Sequence, residues 1–304
     1  MTNFENYVLD HFLEYLPEKY KDAKLRIETV TKQNDQEYRM LVLKLTRAKE
    51  IRMDLKIAER RAKTDPYDEI ISEMAEFFLN NCHNKNGMEA FVSNIIDYTF
   101  VKPKLRLIVM SANRNKKLGQ QAVTWSFGPV MVQACVYIAS GDGNNEGVVR
   151  IKPEHLKLWK VTEEQLFEDA RLAEEDLFTI HSDADLFTSL TQLGRQSKPN
   201  LPATAFYCIN KWNEPFGASI LAHPDLLYQY GLMLGMKDLV IIPSSLHEIL
   251  IVTEEMLEGY DLSDIKQMVK EVNEEEVAET DVFDDTLLGF DMNKKKLCSY
   301  EEYM

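Results

Sequence analysis

The sequence predicts an α+β protein with mostly antiparallel sheets and helices packed on one face. Two patterns carry this reading. Short alternating or continuously apolar runs recur between polar turns, as in hairpin-connected strands. Helical stripes with apolar residues every three or four positions are grouped between those runs rather than alternating with them, which argues against a parallel sheet.

Taken in order, Phe4, Val8, Phe12 and Leu16 make an amphipathic helix with Thr2 or Asn3 as its cap and Pro17 at its end. Leu25 to Val30, Met40 to Leu45 and Ile51 to Leu55 read as a three-stranded meander, with the polar turn Gln33-Asn34-Asp35-Gln36 between the first two. Asp65-Pro66 opens the strongest helix, in which Tyr67, Ile70, Ile71, Met74, Phe77 and Phe78 form a wide apolar stripe expected to face the core. Met88 to Tyr98 predicts another helix. Strands follow at Leu105–Met110, Thr124–Phe127, Val130–Ile138 and Val148–Ile151, with a turn at 141–145.

Pro153 opens a short helix, and Thr162-Glu163-Glu164-Gln165 is a capping box for the next, with Leu166, Ala170, Ala173 and Leu177 on one face. Residues 182–202 read as a polar crossover with a short helix near 186–193. Then come strands at Ala205–Ile209 and Ala218–Ala222, a helix from Pro224 to Gly235, strands at Leu239–Ile242 and Ile249–Val252, and a helix capped by Asp261. That helix is expected to turn Ile265, Met268, Val269 and Val272 inward. The domain reading is 1–100, 101–285 and a C-terminal tail from 286 to 304. Phe283, Leu287, Leu288 and Phe290 are too many large apolar residues for a solvating tail, so 277–292 is expected to dock through them with its acidic groups outward.

Composition bounds the function. Of 304 residues 45% are hydrophobic, enough to bury a core. No run of 18 apolar residues is present, and the first residues lack the basic start and apolar stretch of a signal peptide, so a cytoplasmic protein without a membrane segment is expected. Cys82, Cys135, Cys208 and Cys298 stand singly, as expected of reduced thiols. Residues 1–150 hold 22 Lys and Arg against 20 Asp and Glu, a net of +2; residues 151–304 hold 13 against 30, a net of −17. A field of that sign repels phosphate backbones and attracts basic proteins, so a protein partner is expected and nucleic acid is disfavoured. The basic stretch 44–63, with eight cations and three anions, reads as the solvated face of a strand and a charged helix start.

Reactive groups are densest at Ser244-Ser245-Leu246-His247-Glu248. Hydroxyl, imidazole and carboxylate are the ingredients of an activated nucleophile. On a strand, however, Ser245 and His247 share one face and Glu248 takes the other, so a hairpin connection accounts for the segment better. His181, Asp183 and Asp185 lack the glycine and closing glutamate of a calcium loop, and Cys82-His83 ends a helix; both read as structural, and neither a metal nor a cofactor is expected.

Two stretches resemble a bacterial family known as a domain of unknown function, family 5688: Pro153–Trp159 with Val161–Leu166, and Ile242–Ile251 followed by Val269–Asn273. The resemblance covers roughly residues 103–285. It implies a cytoplasmic bacterial protein, often encoded near genes of mobile elements, and brings no activity with it. Three functions remain open: a non-enzymatic binding or regulatory protein whose acidic surface contacts a protein partner; a hydrolase or transferase using His247 and Ser245 with a distant carboxylate; and an acidic nucleic-acid mimic acting as an anti-defence decoy.

Overall fold

A computed structural model describes residues 1–45, 50–82, 94–139, 146–182, 206–253, 258 and 261–300. The expected helix at 88–98, the turn at 141–145 and most of the crossover at 182–202 fall wholly or largely outside these residues. The chain divides into two units, residues 1–32 with 36–94, and residues 95–304 with 33–35. The fold is α+β with antiparallel sheets.

In the first unit, helix α1 (Asn3–His11) starts at a complete capping box. Thr2 Oγ1 accepts the Glu5 amide, and the Glu5 carboxylate accepts the Thr2 amide. Strands β1 (Lys24–Thr31), β2 (Glu37–Lys44) and β3 (Glu50–Asp54) form the expected meander. Helices α2 (Lys56–Arg61) and α3 (Tyr67–Cys82) follow. The core joins Phe4, Val8 and Phe12 of the first helical turns to Leu41 and Leu43 of β2 and to Ile70, Ile71, Met74, Ala75 and Phe78 of α3. Phe77 is a correction: it is 61% exposed, while Phe78 is 1% exposed. At 3.6 residues per turn Phe77 lies about 90° round the helix from the centre of the buried stripe, at its margin. Part of the basic stretch is matched locally, since Arg52 pairs with Glu28, and Arg61 with Asp65 and Glu73.

The second unit holds two sheets. Helix α4 (Tyr98–Val101) leads into β4 (Leu105–Ser111), α5 (Lys116–Gly119), β5 (Thr124–Phe127), β6 (Val130–Ala139) and β7 (Glu146–Arg150). Strand β6 is central. Strand β4 lies along one edge of it, and β5 and β7 share the other edge one after the next. Helices α6 (Pro153–Trp159) and α7 (Glu163–Glu174) precede the second sheet. That sheet is built from β8 (Phe178–Ser182), β9 (Phe206–Lys211), β10 (Leu239–Ile242), β11 (Ile249–Val252), β12 (Leu288–Asp291) and β13 (Lys296–Ser299), in the order β13-β12-β10-β11-β9-β8. Helices α8 (Pro224–Leu234) and α9 (Leu262–Glu275) fall between its strands. Asn34 belongs to this unit, with a left-handed backbone and a side chain that donates to the carbonyls of Glu279 and Val282. Among the described residues no helix is long and apolar enough to cross a membrane.

Three expectations change here. Gly217–Ala222 is a buried 3-10 turn rather than a strand. Both edges of β9 are already taken, by β11 and β8, so no ladder is open to it. The segment from 286 is not a tail: β12 and β13 carry on the sheet from β10, and Phe283, Leu287, Leu288 and Phe290 are each 1% exposed. In α9, Ile265, Val269 and Asn273 point inward at four-residue spacing, which turns Met268 and Val272 outward at 43% and 49% exposure. The Asn273 amide fixes this rotation by donating to the Asp284 carbonyl and the Asp285 carboxylate.

The burial contrast on α3 is measurable. Phe78→Ala is expected to cost about 3–5 kcal/mol in urea denaturation, and Phe77→Ala less than about 1 kcal/mol. Equal losses would mean that the helix is rotated from the orientation described.

Candidate functional site

Ser244 to Glu248 connect β10 to β11, an antiparallel hairpin. The loop is held by its own groups. The Ser245 amide donates to the Glu248 carbonyl at 3.3 Å, and Ser245 Oγ accepts the His247 amide at 3.0 Å. Ser245 is buried at 9% exposure. The imidazole of His247 stacks on Phe216, its Nδ1 accepts the Phe216 amide at 3.3 Å, and its Nε2 lies 3.6 Å from Asp281 Oδ2. The Glu248 carboxylate accepts from Cys208 Sγ at 3.4 Å and from Ser244 Oγ at 3.5 Å.

The enzyme reading needs a base nitrogen aimed at a hydroxyl. Here one nitrogen of His247 is occupied by a backbone amide and the other faces Asp281. Asp281 comes from a distant segment, as a triad carboxylate would, but it meets the nitrogen that would have to take up the serine proton. Glu248 turns to Cys208 and does not join His247. Among the described residues no three His, Cys, Asp or Glu side chains converge as metal ligands. His181 lies on β8; His83, Asp183 and Asp185 lie outside the described residues.

The strongest polar constellation is elsewhere, where α7, β4, β9 and the turn before α8 meet. Glu174 Oε2 accepts Lys211 Nζ and the Leu107 amide, both at 2.8 Å. Its Oε1 accepts Ser219 Oγ at 2.7 Å and faces His223 Nε2 at 3.0 Å. The side chains of Glu174 and Lys211 are 0% exposed, and that of His223 is 5% exposed. Four partners fill the four acceptor directions of the carboxylate. Burial alone would raise its pKa, but the Lys211 ammonium and His223 outweigh burial and hold it below the usual carboxylate range. Beside it Arg106 makes a two-bond pair with Glu214 and donates to the Ala173 carbonyl. The signals for this cluster were single residues out of pattern. Glu174 continues the inward Leu166/Ala170 spacing of α7, and Lys211 follows Tyr207 and Ile209 on one row of β9.

An open depression of about 660 Å³ lies on the outer side of α7, lined by Tyr98, Lys102, Gln165, Asp169 and Leu172 among others. Its carboxylate is fully engaged: Asp169 accepts from Tyr98 Oη at 2.7 Å, Lys102 Nζ at 2.8 Å and Gln165 Nε2 at 2.9 Å.

The ionic cluster is sealed from solvent, and the histidine loop is bonded both within itself and to Phe216, Ala218 and Asp281. The family of unknown function DUF5688 matches residues 1–291. The chain belongs to this family. The match reaches well beyond residues 103–285, over which the resemblance is legible by eye, and takes in the whole first unit of this DUF5688 protein. No curated protein and no solved structure matches it.

Removing the carboxylate leaves Lys211 charged and unpaired in the interior. Glu174→Gln is therefore expected to cost about 3–5 kcal/mol at pH 7, read by urea denaturation. Because the folded pKa of Glu174 lies below its ordinary 4.5, its stabilising contribution is present above about pH 4.5 and fades as the pH falls through the folded value. The wild type should lose stability more steeply than Glu174→Gln below pH 4.5. Parallel curves would deny the carboxylate this role.

Proposed function

We propose that this protein is a non-enzymatic binding protein, and that its partner is a protein docking on the outward face of α9. One observation carries this reading. Met268 and Val272 stand one helical turn apart and exposed, with exposed Asp264, Glu271 and Glu275 on the same side. Residues 261–279 contain seven Asp and Glu against two Lys, a net of −5. An apolar seam in an acidic rim suits a groove with an apolar floor and basic edges, the helix-in-groove mode of recognition. The charge would speed encounter and select the partner, and the two apolar side chains would supply the buried contact.

The seam also separates this reading from the nucleic-acid mimic, whose surface needs carboxylates and has no use for exposed methionine and valine. The hydrolase reading has one point in its favour, the approach of Asp281 to His247. Against it stand the burial of Ser245, the bond that His247 Nδ1 already accepts from the Phe216 amide and the bond that Ser245 Oγ already accepts from the His247 amide. A bacterial cytoplasm fits the resemblance and the buried thiols of Cys135 and Cys208.

The test places a photo-crosslinking residue at position 268, with position 294 on the β12–β13 turn as control. A discrete adduct from position 268 alone is expected. It should weaken in high salt and disappear when Glu271 and Glu275 are both changed to Lys. Those reversals should leave unfolding stability within about 0.5 kcal/mol, since both residues are exposed. Equal labelling from 268 and 294, or an adduct that survives the double reversal, would refute the proposal.

A further inference from the structure

One face of the β4-β6-β5 sheet carries polar groups that the fold leaves unused. On β6, Met131, Gln133, Cys135 and Tyr137 point to the same side. Gln133 is 0% exposed, yet neither Nε2 nor Oε1 of its amide has a hydrogen-bond partner. A shielded polar group in that state is costly to bury, because its hydration is lost and nothing replaces it. Arg150 stands directly opposite Cys135 on β7, and Thr124 directly opposite Gln133 on β5. Strands β5 and β7 occupy the same edge of β6 in succession, and the Val123 amide ties them by donating to the Ile151 carbonyl at 3.0 Å. Arg150 and Gln133 are thus diagonal neighbours, with backbones about 7–8 Å apart, within reach of two long side chains.

Arg150 is as unusual as Gln133. It is half-buried, and among the described residues no carboxylate, carbonyl or hydroxyl bonds its guanidinium. Burial lowers its pKa, and the one group opposing that effect is Cys135, whose thiol burial pushes up to about 12 and so keeps neutral. The nearby carboxylates are committed, Glu174 to Lys211 and Glu214 to Arg106. Thr124 already donates its hydroxyl proton to the Gly119 carbonyl. A cation with five N–H donors therefore stands beside an amide with two donors and an acceptor, and among the described residues neither is bonded to an anion.

We propose that this face of β6 binds a small oxyanion, a phosphate or carboxylate, that also carries an O–H group. The oxyanion would take the Arg150 fork and the Gln133 N–H, and its O–H would donate to Gln133 Oε1. The ligand enters at Arg150, which keeps part of its surface at the solvent. Gln133 is sealed as it stands, so binding must displace the packing over it. The site is separate from the α9 seam.

Isothermal titration of the full chain at constant ionic strength tests this, with inorganic phosphate, lactate, acetate and sulfate as probes. Saturable binding of phosphate or lactate is expected, at least about tenfold tighter than binding of sulfate or acetate, which lack the O–H. Phosphate ahead of lactate would identify a phosphate ligand, and the reverse a hydroxy-carboxylate. Arg150→Met should weaken binding at least tenfold and should melt no lower than the wild type without ligand, because it removes an uncompensated charge. Gln133→Leu should lose the preference for probes with an O–H. Absence of saturable heat from all four probes on the wild type would overturn the proposal, as would binding unchanged in Gln133→Leu or Arg150→Met. The wild-type and Gln133→Leu titrations decide the matter even if Arg150→Met does not fold.

Discussion

The carboxylate of Glu174, buried with four partners around it, is the constraint on which the second unit depends. It joins the end of α7 to an edge amide of β4, to the last residue of β9 and to the 3-10 turn that leads into α8. Each of those elements brings a group that would be costly to bury alone. Lys211 would be an unpaired charge, the Leu107 amide an orphan at a sheet edge, and Ser219 and His223 unsatisfied polar side chains. Such a pair does not by itself make the fold more stable than an apolar core of the same volume would. Its effect is on arrangement, because a packing that separates the two sheets leaves a charge stranded.

That constraint accounts for the local geometry around it. With β9 held between β8 and β11 and its end anchored at Lys211, Gly217–Ala222 cannot add a strand and coils beneath His247. Gly217 makes this approach feasible, since a Cβ there would come within 2.3 Å of the His247 carbonyl oxygen. The histidine loop is a consequence of this packing. Its imidazole caps the Phe216 amide at the start of the turn, and that bond ties up a nitrogen a catalytic role would require.

The fold was largely legible because strand and helix periods are local properties. The first meander, the β10–β11 hairpin, and the caps at Thr2, Thr162 and Asp261 stand where turn and capping chemistry put them. What the sequence hid depends on partners distant in the chain. Phe77 and Phe78 look alike as letters, and only the direction of the core separates them. Met268 and Val272 fit an inward stripe as well as Ile265 and Val269 do, until Asn273 bonds to the 284–285 backbone and carboxylate and sets the rotation. Phe178–Ser182 and the segment from 286 have ordinary strand composition but find pairing only at the two ends of a six-stranded sheet. Ser245, His247 and Glu248 read as a reactive cluster only because they are close in sequence. Glu174, Lys211, Ser219 and His223 span 50 positions and converge only through topology. Arg150 and Gln133 look ordinary as letters; the register makes them diagonal neighbours, and among the described residues neither side chain has a hydrogen-bond partner.

The Leu107 amide gives the most direct test of the central claim, because its hydrogen bond goes to a side chain from another element rather than into the ladder. Native-state hydrogen exchange measured amide by amide along β4 should show Leu107 opening only with the global unfolding of the second unit, at the same free energy as Ile108 and Met110. An amide at Leu107 that exchanges through local fluctuation, orders of magnitude faster than its neighbours on β4, would contradict the account, since the Glu174 cluster would then come apart without unfolding the rest.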